Sequence, residues 1–387
     1  MSRIEEAART ALAQHRADGL LRGLRWIDGA QDAWVSLDGR RVLLLCSNNY
    51  LGLANHPALR EAAAEAALRY GVGAGASRLI SGSMRIHEQL EESLAAFEHV
   101  EAALVFPTGY HANIGAITAL VGRDDAVFSD ALNHASLIDG CRLSGARVEV
   151  YPHCDVEALD ASLKRVPARR KLVVTDTVFS MDGDVAPLRD ICEVASHHGA
   201  FVMVDEAHAT GVMGPTGAGA VEGMGLQGRV DVQMVTLGKA LGAAGAATCG
   251  SRALMDLFVN RARSFIYTTA LAPPLVAAAK AALEVVRREP ERRRTLAAHS
   301  CYLRQELQRI GYSVPDGVTP IIPVHVGDSG AAVRLSELLL ERGVFVQAIR
   351  PPTVPQGTAR LRVTVMATHT VEDLNHAIAA FRGVRGL

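Results

Sequence analysis

From Ala102 onward the chain alternates short, mostly apolar runs with longer helical patterns: AALVF, DAVFS, RVEVY, KLVVTD, AFVMVDE and DVQMVT each lead into a polar or glycine turn. Strands without a polar alternate are buried on both faces, and strands of that kind joined by helices build a mainly parallel, helix-covered sheet. The pattern therefore predicts an α/β fold. Ahead of it, residues 56–70 and 83–99 read as helices, the second placing Ile86, Leu90, Leu94 and Phe97 on one face. After Pro290 the pattern changes to a charged helix ending near Gly311, the run IIPVHV, a helix from Ala331, the runs VFVQAI and RLRVTV, and a last helix. This predicts an N-terminal segment over 1–45, a large α/β domain over 46–285 and a smaller C-terminal α+β domain over 286–387.

With 387 residues, 49% of them hydrophobic, the chain can fill a large core and a second, smaller one. A formal net charge of -1 gives no basic field, so no nucleic-acid partner is expected. The six cysteines, Cys46, Cys141, Cys154, Cys192, Cys249 and Cys301, form no CxxC pair and no metal spacing. They are expected to be reduced, buried and structural. The N-terminus is charged and lacks the apolar stretch of a signal peptide, and the apolar segment from Leu271 to Val286 is cut by Pro273, Pro274 and Lys280. A cytoplasmic protein with no membrane partner is the expectation.

The chemistry gathers at the predicted strand ends. VTLGKALG puts Lys239 just past a strand between Gly238 and Gly242. A lysine in such a cleft can form a Schiff base with an aldehyde cofactor once its amine is deprotonated, although a solvated loop lysine looks the same in isolation. AFVMVDEAHATG ends an apolar strand on Asp205, Glu206 and His208, at the carboxyl end of the sheet, where α/β proteins place their sites. A buried Asp205 needs a cation, and a pyridinium nitrogen is one: the carboxylate raises that nitrogen's pKa by roughly 1 to 3 units and keeps the ring an electron sink. His208 would reach the cofactor's phenolic oxygen or the lysine. The same DEAH string occurs in helicases, but those need a GxxxxGK loop followed by Ser or Thr, and here Gly238-Lys239 is followed by Ala240.

AALVFPTGYHANIGA supplies a strand, then Thr108-Gly109-Tyr110, then a helix start whose backbone N–H groups at Gly109 and Tyr110 would face a phosphate. In SDALNHASLIDG, Asn133 is a natural N-cap, leaving His134 in the first turn to stack on a pyridine ring. VFSMDGD offers Ser180 and Asp182 at another strand end, and Thr236 stands three residues before Lys239; both Ser180 and Thr236 could hydrogen-bond the cofactor. Arg360 and Arg362 share a strand face by the two-residue period, so residue chemistry alone leaves either as an anion clamp.

Together NYLGL (49–53), SRLISG (77–82), VFSMDGD, VDEAHATG, TLGKALG, FIYTTALAPP and RPPTVPQGTARLR stand in the order of the α-oxoamine synthases, a family of pyridoxal-phosphate enzymes that the chain resembles over nearly its whole length. The resemblance implies the fold-type-I, aspartate-aminotransferase-like transferase architecture, pyridoxal 5'-phosphate as cofactor, and a homodimer with active sites at the interface. It implies that Lys239 is the Schiff-base lysine, Asp205 the pyridinium partner and His134 the stacking histidine. Gly109, Tyr110, Ser180, His208 and Thr236 would be further cofactor contacts, and Thr268 would reach the neighbouring subunit's phosphate. Arg22, Asn48, His134, Thr353 and Arg362 would bind substrate, with Arg25 a close neighbour of Arg22. The Asp176-Thr177 pair stands where relatives often have glutamate and glycine; the acid is kept and little consequence is expected. The RPPTVPQGTARLR tract favours the branch that condenses L-alanine with pimeloyl-CoA or pimeloyl-ACP, losing carbon dioxide, in biotin biosynthesis. The branch using glycine and acetyl-CoA would share the same catalytic residues.

Overall fold

The six runs are six strands of one sheet: Ala102–Phe106, Ala126–Asp130, Arg147–Tyr151, Lys171–Asp176, Phe201–Asp205 and Val232–Thr236. The computed structural model, which describes residues 2–386, adds a seventh strand, Ala246–Gly250, inserted between Ala102–Phe106 and Val232–Thr236 and antiparallel to both. All other pairs in this sheet are parallel. The sequence AATCG gives no strand signal because its small side chains carry no β-branched pattern. They are all buried, and their size lets helices Arg85–Phe97 and Gly109–Leu120 pack against the strand.

Period-two alternation divides each central strand between two cores. Leu172 and Val174 join Phe106, Ile117, Met203 and Phe258 on one face, while Val173 joins Phe128, Val202, Val204 and Ile191 on the other. Each such side chain contributes about 1.5–3 kcal/mol on burial. The edge strand Arg147–Tyr151 is largely exposed, Val148 and Val150 included, and so departs from the burial on both faces expected of these runs. These strands and helices belong to one compact unit, Asn49–Ser180 with Asp184–Thr295.

The second unit contains the residues up to Asn48, the short Met181–Gly183 segment and the chain from Leu296 on. One of its sheets runs Ile321–Gly327, Ala359–Thr364, Gln347–Ile349, all antiparallel. The other joins Ile27–Asp28, Trp34–Leu37, Arg40–Leu44 and Val344–Phe345. The VFVQAI run, expected as one strand, is therefore two. Val346 is the switch point, where Ser336 Oγ donates to its carbonyl at 2.5 Å, and the chain passes from one sheet to the other.

The described cysteines are all free, but not all are buried: Cys141, Cys192 and Cys249 are, Cys46 and Cys154 are half-buried, and Cys301 is exposed on helix Glu291–Arg309. Burial pushes the Cys46 and Cys141 thiols up to about 12 and Cys192 to about 11, which keeps them unreactive.

One buried acid is a liability. Glu98, just past helix Arg85–Phe97, is 2% exposed, and neither carboxyl oxygen has a hydrogen-bond partner among the described residues. Burial, then the Glu206 and Glu222 carboxylates, hold it well above its ordinary value of 4.5. A raised carboxyl contributes stability in full below the unfolded pKa and loses it as pH rises through the folded one. Glu98→Leu is therefore expected to stabilise the fold by about 1–3 kcal/mol, with a larger rise in Tm at pH 8 than at pH 5. Thermal unfolding at the two pH values checks this; a gain independent of pH would mean the acid is not held neutral.

Candidate active site

The carboxyl ends of the parallel strands converge on a cavity of about 180 Å³ within the large-sheet unit. At roughly 10–15 Å³ per water it has room for on the order of fifteen non-hydrogen atoms, the scale of one phosphorylated ring. Gly109, Tyr110, His134, Asp205, His208, Thr236 and Lys239 all line it. Lys239 arrives three residues after strand Val232–Thr236, on a turn pinned by Gly242 at φ +63°. A Cβ there would lie 2.4 Å from the Ala54 nitrogen and 2.5 Å from the Leu53 carbonyl carbon, so only glycine lets the turn pack on the NYLGL segment.

Lys239 Nζ stands 2.9 Å from His208 Nε2, and Tyr50 Oη stands 2.7 Å from His208 Nδ1. Asp205 ends its strand 3% exposed; Asn113 Nδ2 donates to its Oδ2 at 2.8 Å and the Ala207 amide to its Oδ1 at 2.9 Å. Next to it in register lies Asp176, whose Oδ2 accepts the His134 amide at 2.7 Å. Burial, then the Asp205 carboxylate, hold Asp176 well above the usual carboxylate range. Burial also pushes His134 below its ordinary 6.5, against the pull of Asp205, which leaves a neutral imidazole at the cavity wall. Helix Gly109–Leu120 begins here under a Thr108 cap that accepts the His111 amide at 3.2 Å. The preceding amides, Gly109 and Tyr110, have no intrahelical acceptor and suit an anion.

These residues fit pyridoxal phosphate on the structure's own terms. Two buried carboxyls share a cavity wall, so a cationic ring nitrogen beside Asp205 lowers the cost of that burial. A free helix start suits the phosphate, and a lysine amine held by an imidazole suits the aldehyde.

Of the expected substrate residues, His134 lines this cavity, whereas Arg22, Asn48, Thr353 and Arg362 lie in the other unit. Arg22 Nη2 donates to Thr353 Oγ1 at 3.3 Å, while Arg25 packs over the Phe345 ring, 5.8 Å from its centroid. Arg22 and Thr353 border a hollow of about 440 Å³. The strand Ala359–Thr364 separates the two arginines that the sequence could not: Arg360 ion-pairs with Asp182, whereas Arg362 Nη1 donates to Asn48 Oδ1 at 3.1 Å.

Asn133, expected as a helix cap, is not one. The cap is His134, whose Nδ1 accepts the Ser136 amide at 3.2 Å. Asn133 is instead a buried cross-brace, donating to Ser129 Oγ and the Val174 carbonyl at 2.9 Å each and accepting from the Asp176 amide at 2.9 Å. Asn113 and Tyr50 went unnoticed as site residues. The only local sign of Asn113 is a polar residue within the apolar helix GYHANIGAITAL, and Tyr50 sits inside a motif read only as a family mark. Ser180 lies in the turn between Val178 and Val185, which form a bridge, and Thr268 in the half-buried bend after helix Arg263–Ile266; neither lines the cavity.

The profile of aminotransferases class I and II matches residues 40–381. The chain belongs to that family. It is 55% identical over 368 residues to the 8-amino-7-oxononanoate synthase of Anaeromyxobacter dehalogenans, covering 95% of this chain and 92% of the relative. The serine palmitoyltransferase of Sphingomonas wittichii superposes with a TM-score of 0.92 at 34% identity, covering 98% of this chain and 96% of that one. The 8-amino-7-oxononanoate synthase of Francisella tularensis does so at 0.75 and 26%, covering 88% and 97%. These solved relatives are α-oxoamine synthases, and the fold-type-I transferase architecture expected from the motifs is theirs. Between the two solved structures both measures favour the serine palmitoyltransferase, but the 55% identity to the Anaeromyxobacter enzyme exceeds either. Backbone superposition reports the shared architecture, whereas identity also reports the side chains that select substrates, so identity over the whole chain is the better guide to the reaction.

Proposed function

We propose that the chain is a pyridoxal-phosphate-dependent acyltransferase that condenses L-alanine with a pimeloyl thioester, giving 8-amino-7-oxononanoate, carbon dioxide and the free thiol carrier, in biotin biosynthesis. The observation that carries the chemistry is Lys239, with its amine at His208, in the same cavity as the buried Asp205. The choice of substrates rests on the relatives that are 50–55% identical and named for this reaction.

Pyridoxal phosphate, when bound, supplies an aldehyde for the amine and a protonated ring that takes up electrons released at the amino acid's α-carbon. Asp205 keeps that ring nitrogen protonated, and Asn113 and the Ala207 amide fix the carboxylate's direction. Gly109 and Tyr110 would hold the phosphate through backbone N–H groups, with Thr236 as a further polar contact. His134, at the cavity wall, would supply a neutral face for the ring. Lys239, its amine held by His208 and that imidazole oriented by Tyr50, would serve as general base for the α-proton. By the family resemblance Arg22, Asn48 and Thr353 would bind substrate, and Arg362 would take the amino acid's carboxylate.

A homodimer belongs to the same reading, with Thr268 serving the neighbouring subunit's phosphate. Val72, Ile80 and Tyr267 are each more than 70% exposed, apolar side chains of a kind that a second copy would cover. Among the described residues no helix is long and apolar enough to cross a membrane, and a cytoplasmic location is proposed.

Thiol release and product mass, recorded with L-alanine or glycine against pimeloyl-CoA or acetyl-CoA, test the reading. Release confined to alanine with pimeloyl-CoA, with a product that has lost carbon dioxide, is the expected result. Preferred release with glycine and acetyl-CoA would move the enzyme to the other branch.

A further inference from the structure

We propose that His153 is a positioning residue: clamped between the Asp130 and Asp184 carboxylates, it locks together the two loops that carry His134 and Ser180, and so holds the cofactor's surroundings in place. The inference rests on the cofactor reading above. His153 Nδ1 lies 2.9 Å from Asp130 Oδ1 and its Nε2 lies 2.7 Å from Asp184 Oδ2. An ionised carboxylate only accepts, so both ring nitrogens must donate and the ring is an imidazolium. The ring sits edge-on to Phe179, 4.3 Å between centroids at 90°.

Each carboxylate belongs to a different loop. Asp130 ends strand Ala126–Asp130; its Oδ1 also accepts the Leu132 amide at 2.8 Å, and its Oδ2 accepts the Cys154 amide at 2.8 Å. Leu132 is two residues before His134. Asp184 closes the other turn, its carbonyl accepting the Phe179 amide at 3.0 Å beside the bridge of Val178 to Val185, with Ser180 inside. The imidazolium therefore spans the two loops as an ionic cross-link, and hydrogen bonds to Asp130 and then Asp184 raise it to about 12, so it keeps its charge at any working pH. Asp130, His153 and Cys154 also offer metal-ligand atoms within 4.8 Å of one another. A metal would have to take a ring nitrogen from one of its carboxylates, and the 2.7 and 2.9 Å spacings are those of charge-assisted hydrogen bonds.

The test uses His153→Gln, Asp184→Asn and the double variant of the full chain. Titrated with pyridoxal phosphate, each single variant is expected to bind about ten- to a hundredfold more weakly, the range found when a group that orients a ligand's partners is removed. The induced circular dichroism of the bound cofactor should fall with it. The double variant should be no worse than the poorer single, within about twofold, because the clamp acts as one unit. In cofactor-free protein, amide exchange at Leu132 and Cys154 should speed up while that of Val174 in the core strand stays unchanged. If His153→Gln fails to fold, Asp184→Asn, altered at a side chain 39% exposed, carries the comparison. Variants that bind the cofactor as wild type does, with unchanged exchange at Leu132 and Cys154, would overturn the clamp, as would losses that multiply in the double variant. A wild-type chain that takes up no pyridoxal phosphate would overturn the cofactor reading and the clamp together.

Discussion

Lys239→Ala is expected to leave a folded protein that has lost both the visible absorption of the cofactor-bound enzyme and its turnover, with kcat down at least about a thousandfold. The amine has two duties at one position. Under the proposed function it would hold the cofactor's aldehyde before substrate arrives and move the α-proton afterwards. No other described lysine lines the cavity, and the aldehyde-anchoring bond has no substitute when the Nζ beside His208 is removed. Absorption after titration with pyridoxal phosphate and thiol release with alanine and pimeloyl-CoA are the two measurements. A wild-type band, or wild-type turnover, in the variant would sink the assignment of Lys239. Because the side chain lies on a turn fixed by Gly242 rather than in the strand, the fold should survive the change.

The second large effect belongs to Arg362. Arg362→Ala is expected to weaken alanine binding by about 2–5 kcal/mol, the cost of removing one partner of a buried charged pair. At 1.36 kcal/mol per factor of ten this is a rise in alanine KM from roughly thirtyfold to several thousandfold. The side chain is 7% exposed, and its Nη1 reaches the neutral amide oxygen of Asn48. Its neighbour two residues back is committed elsewhere: Arg360, 5% exposed, is paired with Asp182. Arg360→Ala should therefore lower stability and leave alanine KM near wild type. Steady-state kinetics on the two variants decide between them, and a rise in KM in Arg360→Ala alone would move the clamp to that residue.

The residues proposed to do chemistry were legible because each follows a strand signal. Asp205 and His208 close AFVMVDEAH, Lys239 follows DVQMVT, Gly109 and Tyr110 follow AALVF, and the structure brings all five to one cavity. Their supports were not legible. Asn113 faces Asp205 across 92 residues of chain, and Tyr50 faces His208 across 158. No local pattern records such a partner.

What the sequence by itself determined is whatever depends on near neighbours: the buried parallel strands, the helices between them, the glycine-flanked lysine, and the order of motifs that marks the family. Hydrophobic periodicity and turn chemistry act over a few residues and so are written locally. The tertiary structure decided what depends on which segments become neighbours. It inserted the antiparallel Ala246–Gly250 strand, split VFVQAI between two sheets, made His134 rather than Asn133 the helix cap, and gave Arg360 and Arg362 different partners. Two arginines on one strand face are equivalent to the local backbone; they become different only when the fold sets a carboxylate beside one and an amide beside the other.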